Sequence, residues 1–136
     1  MDKAMTFIDH HKEVALATIS DGEPRLRVFQ VMKRDKETLY FATSTKAKVY
    51  KQLRQDSRIE ILSSGDNQYV RMSGRANFNI DSAIEKEIYD NNQILHTLCD
   101  DQNDIVYFKL NADEVEYYNM NVNPPQVEFE DKRKSE

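Results

Sequence analysis

Cysteine is almost missing from this chain: Cys99 is the only one in 136 residues. One thiol can neither close a disulfide within the chain nor build a cysteine-based metal cage. Glycine and proline are scarce as well, three of each, so few turns can rest on their special backbone geometry. No apolar run nears the ~20 residues that a membrane-crossing helix needs. The first twelve residues lack the apolar stretch of a signal peptide. A basic excess is also lacking. The formal net charge is -5, which argues against generic nucleic-acid binding but leaves room for a local basic pocket. These absences together lead us to expect a reducing, cytoplasmic setting, with neither nucleic acid nor membrane as partner.

What is present suits one domain with a real core. Hydrophobic residues make up 39% and charged residues 32%, so a packed interior lies under a very polar surface. The order of elements follows from periodicity. Ala4, Met5, Phe7 and Ile8 supply the apolar face of a first helix over 2–12. Strands are expected over 13–20, 25–33 and 38–43, with a turn at Asp21-Gly22-Glu23-Pro24 and a polar connection at 34–37. A short amphipathic helix follows over about 46–55, with Val49 and Leu53 on one side. Strands resume over 58–63 and 68–78, joined by a turn at 64–67, and Gly74 marks a bulge or bend. Asp81 or Ser82 can cap a helix running to about Leu98. Two further strands fit 105–110 and 114–119. Beyond 121 the chain turns polar, and its last seven residues read as a frayed tail. The expected organisation is a single domain over 1–120 with a partly flexible extension over 121–136. The expected fold is mainly β with flanking helices, a six- to seven-stranded antiparallel barrel. A sandwich is the competing architecture.

The stretch 38–53 carries the most chemistry. An apolar strand runs into Thr43-Ser44-Thr45 and then into a helix bearing Lys46, Lys48 and Lys51. Hydroxyls and lysine at a helix N-terminus suit a phosphate, because free amides and the helix dipole both favour an anion. The plainer reading is a capped surface helix with solvated lysines. In the strand before it, alternation sets Arg25, Arg27, Phe29, Val31 and Lys33 on one face, and the more apolar Leu26, Val28, Gln30 and Met32 on the other. Paired with the next strand, Arg27 would come near Thr43, so that Arg27, Thr43, Ser44 and Lys48 converge on one anion. A phosphate monoester carries roughly -1.5 to -2 near neutral pH, which suits one arginine, one lysine and several neutral donors.

These residues, in order, resemble a known family. Ala15-Leu-Ala-Thr-Ile, Pro24-Arg-Leu-Arg-Val-Phe-Gln, Leu39-Tyr-Phe-Ala-Thr-Ser, Lys48-Val-Tyr-Lys-Gln-Leu, Arg58-Ile-Glu-Ile and Tyr69-Val-Arg-Met-Ser-Gly are similar in succession to the pyridoxamine 5′-phosphate oxidase-like family of FMN-binding split barrels, and to its short bacterial branch more than to the true oxidases. The resemblance implies a split barrel that pairs as a homodimer with FMN at the interface. It implies that Arg27 and Lys48 contact the phosphate, that Thr43 and Ser44 form the turn holding it, and that Val28, Phe29 and Gln30 line the flavin ring. Gln68 and Tyr69 fall where the family brings a polar residue from the second subunit. Three departures stand out: Val28 where many relatives have proline, Ala47 between the two lysines, and Tyr69 where the true oxidases have glutamine. The substrate-binding arginine pattern of the true oxidases has no counterpart after Tyr118, so pyridoxamine phosphate oxidation is not expected.

The expected function is therefore that of an FMN-binding oxidoreductase moving hydride or electrons between a nicotinamide cofactor, NAD(P)H, and a small acceptor. The alternative is a non-catalytic flavin or heme carrier, store or sensor of the same fold. His10 and His11, at the end of the first helix, read as dipole or solvent contacts, and His96 and Cys99 as structural. No nucleophile-and-base triad, glycine-rich dinucleotide loop or metal-ligand cluster is found in the sequence.

Overall fold

A computed structural model describes residues 2–134. The elements are α1 (Asp2–His10), β1 (Glu13–Ser20), β2 (Glu23–Gln30), β3 (Lys33–Asp35), β4 (Thr38–Ser44), α2 (Lys48–Gln55), β5 (Arg58–Gly65), β6 (Gln68–Asn77), α3 (Ser82–Asn91), α4 (Leu95–Leu98), β7 (Ile105–Asn119) and β8 (Gln126–Asp131), with short 3-10 turns at Gln102–Asp104 and Lys132–Lys134. The eight strands form one antiparallel sheet of order β2-β1-β5-β6-β7-β4-β3, with β8 added beside β7. No described helix is long and apolar enough to cross a membrane.

Two tight hairpins start the sheet. Asp21 and Gly22 both adopt positive φ, 53° and 78°, between the paired ends Ser20 and Glu23. Asp66 and Asn67 repeat this at 52° and 59° between Gly65 and Gln68. Two consecutive left-handed residues match the natural strand twist, and Asp, Asn and Gly tolerate them best.

The two ends of the strand order, β2 and β3, are consecutive in the chain. Val31 N–H still donates to Lys12 O (2.8 Å), on the β1 side, whereas Met32 N–H donates to Tyr40 O (2.8 Å), on the β4 side. A single extended segment therefore changes partner between Val31 and Met32 and closes the sheet into a barrel. Inward-facing Val14, Leu16, Val31, Leu39, Phe41, Ile59, Ile61, Val70, Met72, Phe108, Leu110 and Val115 fill it. Phe41 and Phe108 stack at 5.3 Å, and Phe29 meets both edge-on at 6.1 and 5.9 Å.

The helices seal what the strands leave open. α1 adds Ala4, Met5, Phe7 and Ile8 to the core. α2 lies over β1 and β4 and buries Val49 and Leu53. Burying two such side chains stabilises its docking by about 1.5–3 kcal/mol each, more than a cap worth ~1 kcal/mol supplies. α3 and α4 cover the outer face of β4 and β7, where Tyr40, Ala42, Ile105 and Tyr107 pack on Ile88 and Leu95.

Four expectations need correction. The helix expected from about 82 to Leu98 is broken at Asn92, whose side chain donates to Ile88 O (2.8 Å) and Met32 O (3.2 Å) and so ends α3. The two strands expected over 105–110 and 114–119 are one, because Asp113 is absorbed as a bulge opposite Ser73 and Gly74. The polar segment after 121 is not all tail. Gln126–Asp131 pairs with Glu114–Asn119, covering the edge of β7 that β4 leaves bare, and Lys132 and Arg133 bind Glu37 and Glu114. Its last two residues lie outside the described ones. Finally, α2 starts at Lys48 with Ala47 as its N-cap, not in the hydroxyl run.

Gly74 is a bend, as its sequence position implied. A Cβ there would lie 2.8 Å from Leu110 Cδ1 and 2.9 Å from the backbone oxygen of Asn111. Gly74→Ala must push β6 from the bulged part of β7. We expect it to lower unfolding free energy by about 1–3 kcal/mol, read as a shift of the urea midpoint. A midpoint at the wild-type value would show that the two strands are not packed this closely.

Candidate functional site

The partner change at Val31–Met32 leaves a gap. Continuing the β3–β4 register backwards would set Gln30 opposite Thr43 and Phe29 opposite Ser44. Instead β2 turns aside to pair with β1 along its whole length, and among the described residues it has no other strand partner. Its outer edge thus offers unpaired backbone groups toward the end of β4 and the start of α2. Such an edge needs a partner, a cover or water.

Arg27 lies at this gap. Its guanidinium is half-buried and donates from Nη1 to Thr18 Oγ1 (3.0 Å) and from Nη2 to Gln52 Oε1 (3.0 Å). Thr18 Oγ1 donates in turn to Gln52 Oε1 (2.8 Å). Burial, and then the charge of Arg25, lowers the Arg27 pKa, though arginine remains cationic. Both partners are neutral. The other half-buried arginines have carboxylates: Asp9 for Arg34, and Glu60, Glu114 and Glu116 for Arg71. Among the described residues, Arg27 is the one half-buried arginine without an acid at its side. Two of its five N–H groups are engaged, and three remain for a ligand.

The structure brings α2 to the same place. Lys48 lies four residues before Gln52, hence on the same side of the helix, and is exposed. No side chain caps the helix at Ala47, so its first amides keep their anion-binding capacity. Ser44 instead shapes the turn before the helix: its Oγ accepts from Lys46 N–H (3.1 Å) and its carbonyl oxygen from Ala47 N–H (3.0 Å). Lys46 is drawn off toward Asp104 at 3.6 Å. Thr43 is buried on the barrel side of β4. The side-chain bonds of Arg27 go to Thr18 and Gln52 and not to Thr43, because β2 pairs with β1 and not with β4.

The remaining expected residues divide. Phe29 does not belong to the edge: its side chain packs into the core, and its backbone, two residues before the Val31–Lys12 bond, faces Val14 of β1. Val28 and Gln30 project outward and are exposed. Gln68 and Tyr69 are not beside Arg27. Arg27 aligns through Leu16 and Ile61 with Met72, so Tyr69 is three strands across and three residues along, on the order of 15 Å away. Gln68 Oε1 accepts from the Tyr117 hydroxyl (2.7 Å). Tyr69 stacks on Tyr118 at 5.1 Å and donates to Glu116 Oε1 (3.1 Å). Burial, and then that bond, raise its phenol pKa, so it stays a neutral donor at pH 7.

Thr18 and Gln52 were missed in the sequence. The signals were there: a hydroxyl ending the inward row Val14–Leu16–Thr18, and an amide one helical turn after Lys48. The histidines fall in structural places. His11 stacks on Phe7 at 4.0 Å and reaches Asp66 at 3.3 Å, and His96 stacks on Tyr89 at 4.3 Å.

The sequence profile of a family described as pyridoxamine 5′-phosphate oxidase matches residues 1–120. General stress protein 26 of Bacillus subtilis (strain 168) is 27% identical over 92 residues, a match spanning 64% of this chain and 65% of that relative's length. General Stress Protein 26 from Bacillus anthracis str. Sterne superposes with TM-score 0.78 at 21% identity, covering 96% of both chains. A pyridoxamine 5′-phosphate oxidase-related, FMN binding protein from Nostoc punctiforme PCC 73102 gives 0.70 at 14%, covering 96% of this chain and 93% of that one. A heme binding protein from Mycobacterium smegmatis gives 0.74 at 16%, covering 93% of this chain and 56% of that one. At these identities the solved structures speak for the fold: an antiparallel split barrel with flanking helices.

The far end of α2 yields a pH prediction. Asp56 closes the helix, its N–H donating to Gln52 O (2.8 Å), while its carboxylate accepts from Arg58 Nε (3.0 Å), Nη2 (2.6 Å) and N–H (3.1 Å). The Arg58 side chain, then its backbone N–H, lowers the Asp56 pKa from 3.8 to about 2. A depressed carboxyl pKa contributes stability that is present above the unfolded value and lost as pH falls through the folded one. Carboxyl NMR should find an Asp56 midpoint near 2 that rises in Arg58→Ala. A midpoint unchanged by that substitution would refute the pairing.

Proposed function

Since the chain belongs to the pyridoxamine 5′-phosphate oxidase family, we propose that it binds FMN at the barrel split and works as an oxidoreductase. The observation that carries this reading is Arg27: a half-buried cation with neutral partners, set between an unpaired strand edge and an uncapped helix N-terminus. This set fits a phosphorylated planar ligand. Arg27 and Lys48, with the first-turn amides of α2 and the turn that Ser44 shapes at the end of β4, hold the phosphate. The free edge of β2 gives the rim of the ring backbone donors and acceptors from Val28 and Gln30, while Phe29 between them backs the ring from the core side. When bound, FMN supplies hydride and electron transfer between NAD(P)H and a small acceptor. The chain's part is to orient the cofactor and keep water from one side of it, and no side chain acts as acid or base in this scheme.

The reading includes a second copy of the chain. Leu26 is 73% exposed, Val28 67% and Leu62 39%. Cross-strand pairing joins them through Ala15 and Ala17 into one apolar area: Val28 and Leu62 both oppose Ala15, and Leu26 opposes Ala17. An isologous dimer covers such a face with itself. It also accounts for Gln68 and Tyr69, too far from Arg27 to serve the same site within one chain. The reading is of a cytoplasmic protein needing neither nucleic acid nor membrane. In this reading a single domain over 1–120 forms the barrel, and within the extension over 121–136 the strand Gln126–Asp131 clips the edge of β7.

Two tests follow. Purified protein should be yellow or take up added FMN, and NAD(P)H should bleach the flavin bands. A colourless protein that takes up none would sink the reading. Arg27→Ala or Lys48→Ala should weaken FMN binding by about 10–100-fold, the range of one charge-assisted hydrogen bond, and leave riboflavin, which has no phosphate, nearly unaffected. Equal weakening of both would remove the phosphate assignment. For the dimer, Val28→Glu should yield monomers in sedimentation at concentrations where wild type is paired. A wild-type monomer would reject the interface.

A second reading, flavin or heme carriage without catalysis, draws on the same scheme, in which no side chain serves as acid or base. The spectrum separates the cases. Flavin that no nicotinamide donor reduces marks a carrier, and a heme Soret band replaces the cofactor assignment.

A further inference from the structure

Gln52 is placed by two donors on one oxygen. Thr18 Oγ1 and Arg27 Nη2 both bond to its Oε1, at 2.8 and 3.0 Å. A guanidinium has no acceptor, so the carboxamide oxygen must face it, and the orientation of this amide follows from chemistry alone. Arg27 Nη1 completes the triangle on Thr18 (3.0 Å). The triangle joins β1, β2 and α2. It is not needed to dock the helix, because Val49 and Leu53 already do so from the buried side.

A neutral acceptor at this point has an electrostatic consequence. Six carboxylates ion-pair with Arg34, Arg58, Arg71 and Arg133 elsewhere in the described chain: Asp9, Asp56, Glu60, Glu114, Glu116 and Asp131. A glutamate at 52 would be nearly isosteric, and would cancel the charge of Arg27. Glutamine fixes the guanidinium plane by the same geometry but leaves the full positive charge for an incoming anion.

We propose that Gln52, supported by Thr18, is the positioning residue that sets phosphate selectivity at this site: it locks Arg27 in place while keeping its charge uncompensated, so that the site prefers a phosphomonoester over the same ligand without phosphate. The proposal rests on the FMN reading above. It acts through Arg27 and needs no contact between Gln52 and the ligand.

Fluorescence titrations with FMN and with riboflavin test it, on wild type, Gln52→Glu, Gln52→Ala, Thr18→Val, Thr18→Ser and Arg27→Ala, with melting curves to show that each variant is folded. Gln52→Glu should lose about 10–100-fold in FMN affinity with riboflavin affinity held, so the preference collapses. Gln52→Ala and Thr18→Val should reduce the preference by several-fold, about 3–10, and Thr18→Ser should keep it. If Gln52→Glu retains the wild-type preference while Arg27→Ala loses it, the phosphate site stands and the role of Gln52 falls. Should FMN and riboflavin affinities drop together in Gln52→Ala and Thr18→Val, the triangle is structural and the proposal is wrong. A wild type without preference, unchanged by Arg27→Ala, overturns the phosphate reading itself.

Discussion

One strand cannot pair with two neighbours on the same edge, and this constraint at Val31–Met32 organises the molecule. Before it the chain belongs to β1, after it to β4. The switch closes the barrel without a long crossover. It also strands the far edge of β2, since the neighbour it would have had is engaged elsewhere. Unpaired backbone groups beside an interior are costly unless water or a partner reaches them. Phe29 fills the base of the gap with its ring, so the core is sealed while the edge above it stays open. α2 then lands across the opening, because Val49 and Leu53 find apolar surface there. Its uncapped end is delivered to the open edge as a consequence of core packing.

Charge placement follows from the same geometry. On a chain of net charge -5, acids are plentiful, and exposed pairs such as Lys86 with Asp90 contribute little each. A half-buried arginine is different. Its desolvation is opposed only by the bonds it makes, and at Arg27 these are two neutral ones. Arg71 shows the other solution on the outer face of the sheet, where three glutamates surround one guanidinium. Arg71 is satisfied by the chain itself, while Arg27 still has donors and charge to give. That contrast separates the two clusters more clearly than their residue types do.

Much of the fold was legible, and the misses have physical causes. Alternation identified most of the strands, and the turns expected at 21–24 and 64–67 narrow in the structure to Asp21-Gly22 and Asp66-Asn67, all four at positive φ. Gly74 read as a bulge or bend because it is a glycine inside a strand, and in the structure nothing larger fits against Asn111. Periodicity says which side chains share a face but not which strand lies alongside, so Arg27 was set beside Thr43 and not beside Thr18. It also does not say which face turns inward. On β2 the face with Leu26 and Val28 looks like core, yet Arg27, Phe29 and Val31 are the ones turned in. Asn92 ended a helix by reaching a carbonyl on another element, Met32 O, which no local pattern encodes. β8 was passed over because the segment after 121 reads as polar and proline-bearing, and its two apolar residues, Val127 and Phe129, stay half or more exposed even when the strand is paired.

The inverted face of β2 bears on how the proposed site is completed. A strand whose apolar residues point outward and whose cation points inward is poorly suited to a monomer, where both choices cost free energy. It suits a chain whose outer face is covered and whose inner cation is met by an anion. In the proposed dimer, Leu26 and Val28 carry the first contact and Arg27 the second, on alternate residues of one strand. Any shift of that strand along β1 by one residue would exchange the two faces. Cofactor binding and pairing would then be linked, each stabilising the register that the other requires. In the proposed dimer each would therefore strengthen the other's apparent affinity without any contact between the phosphate and the apolar interface.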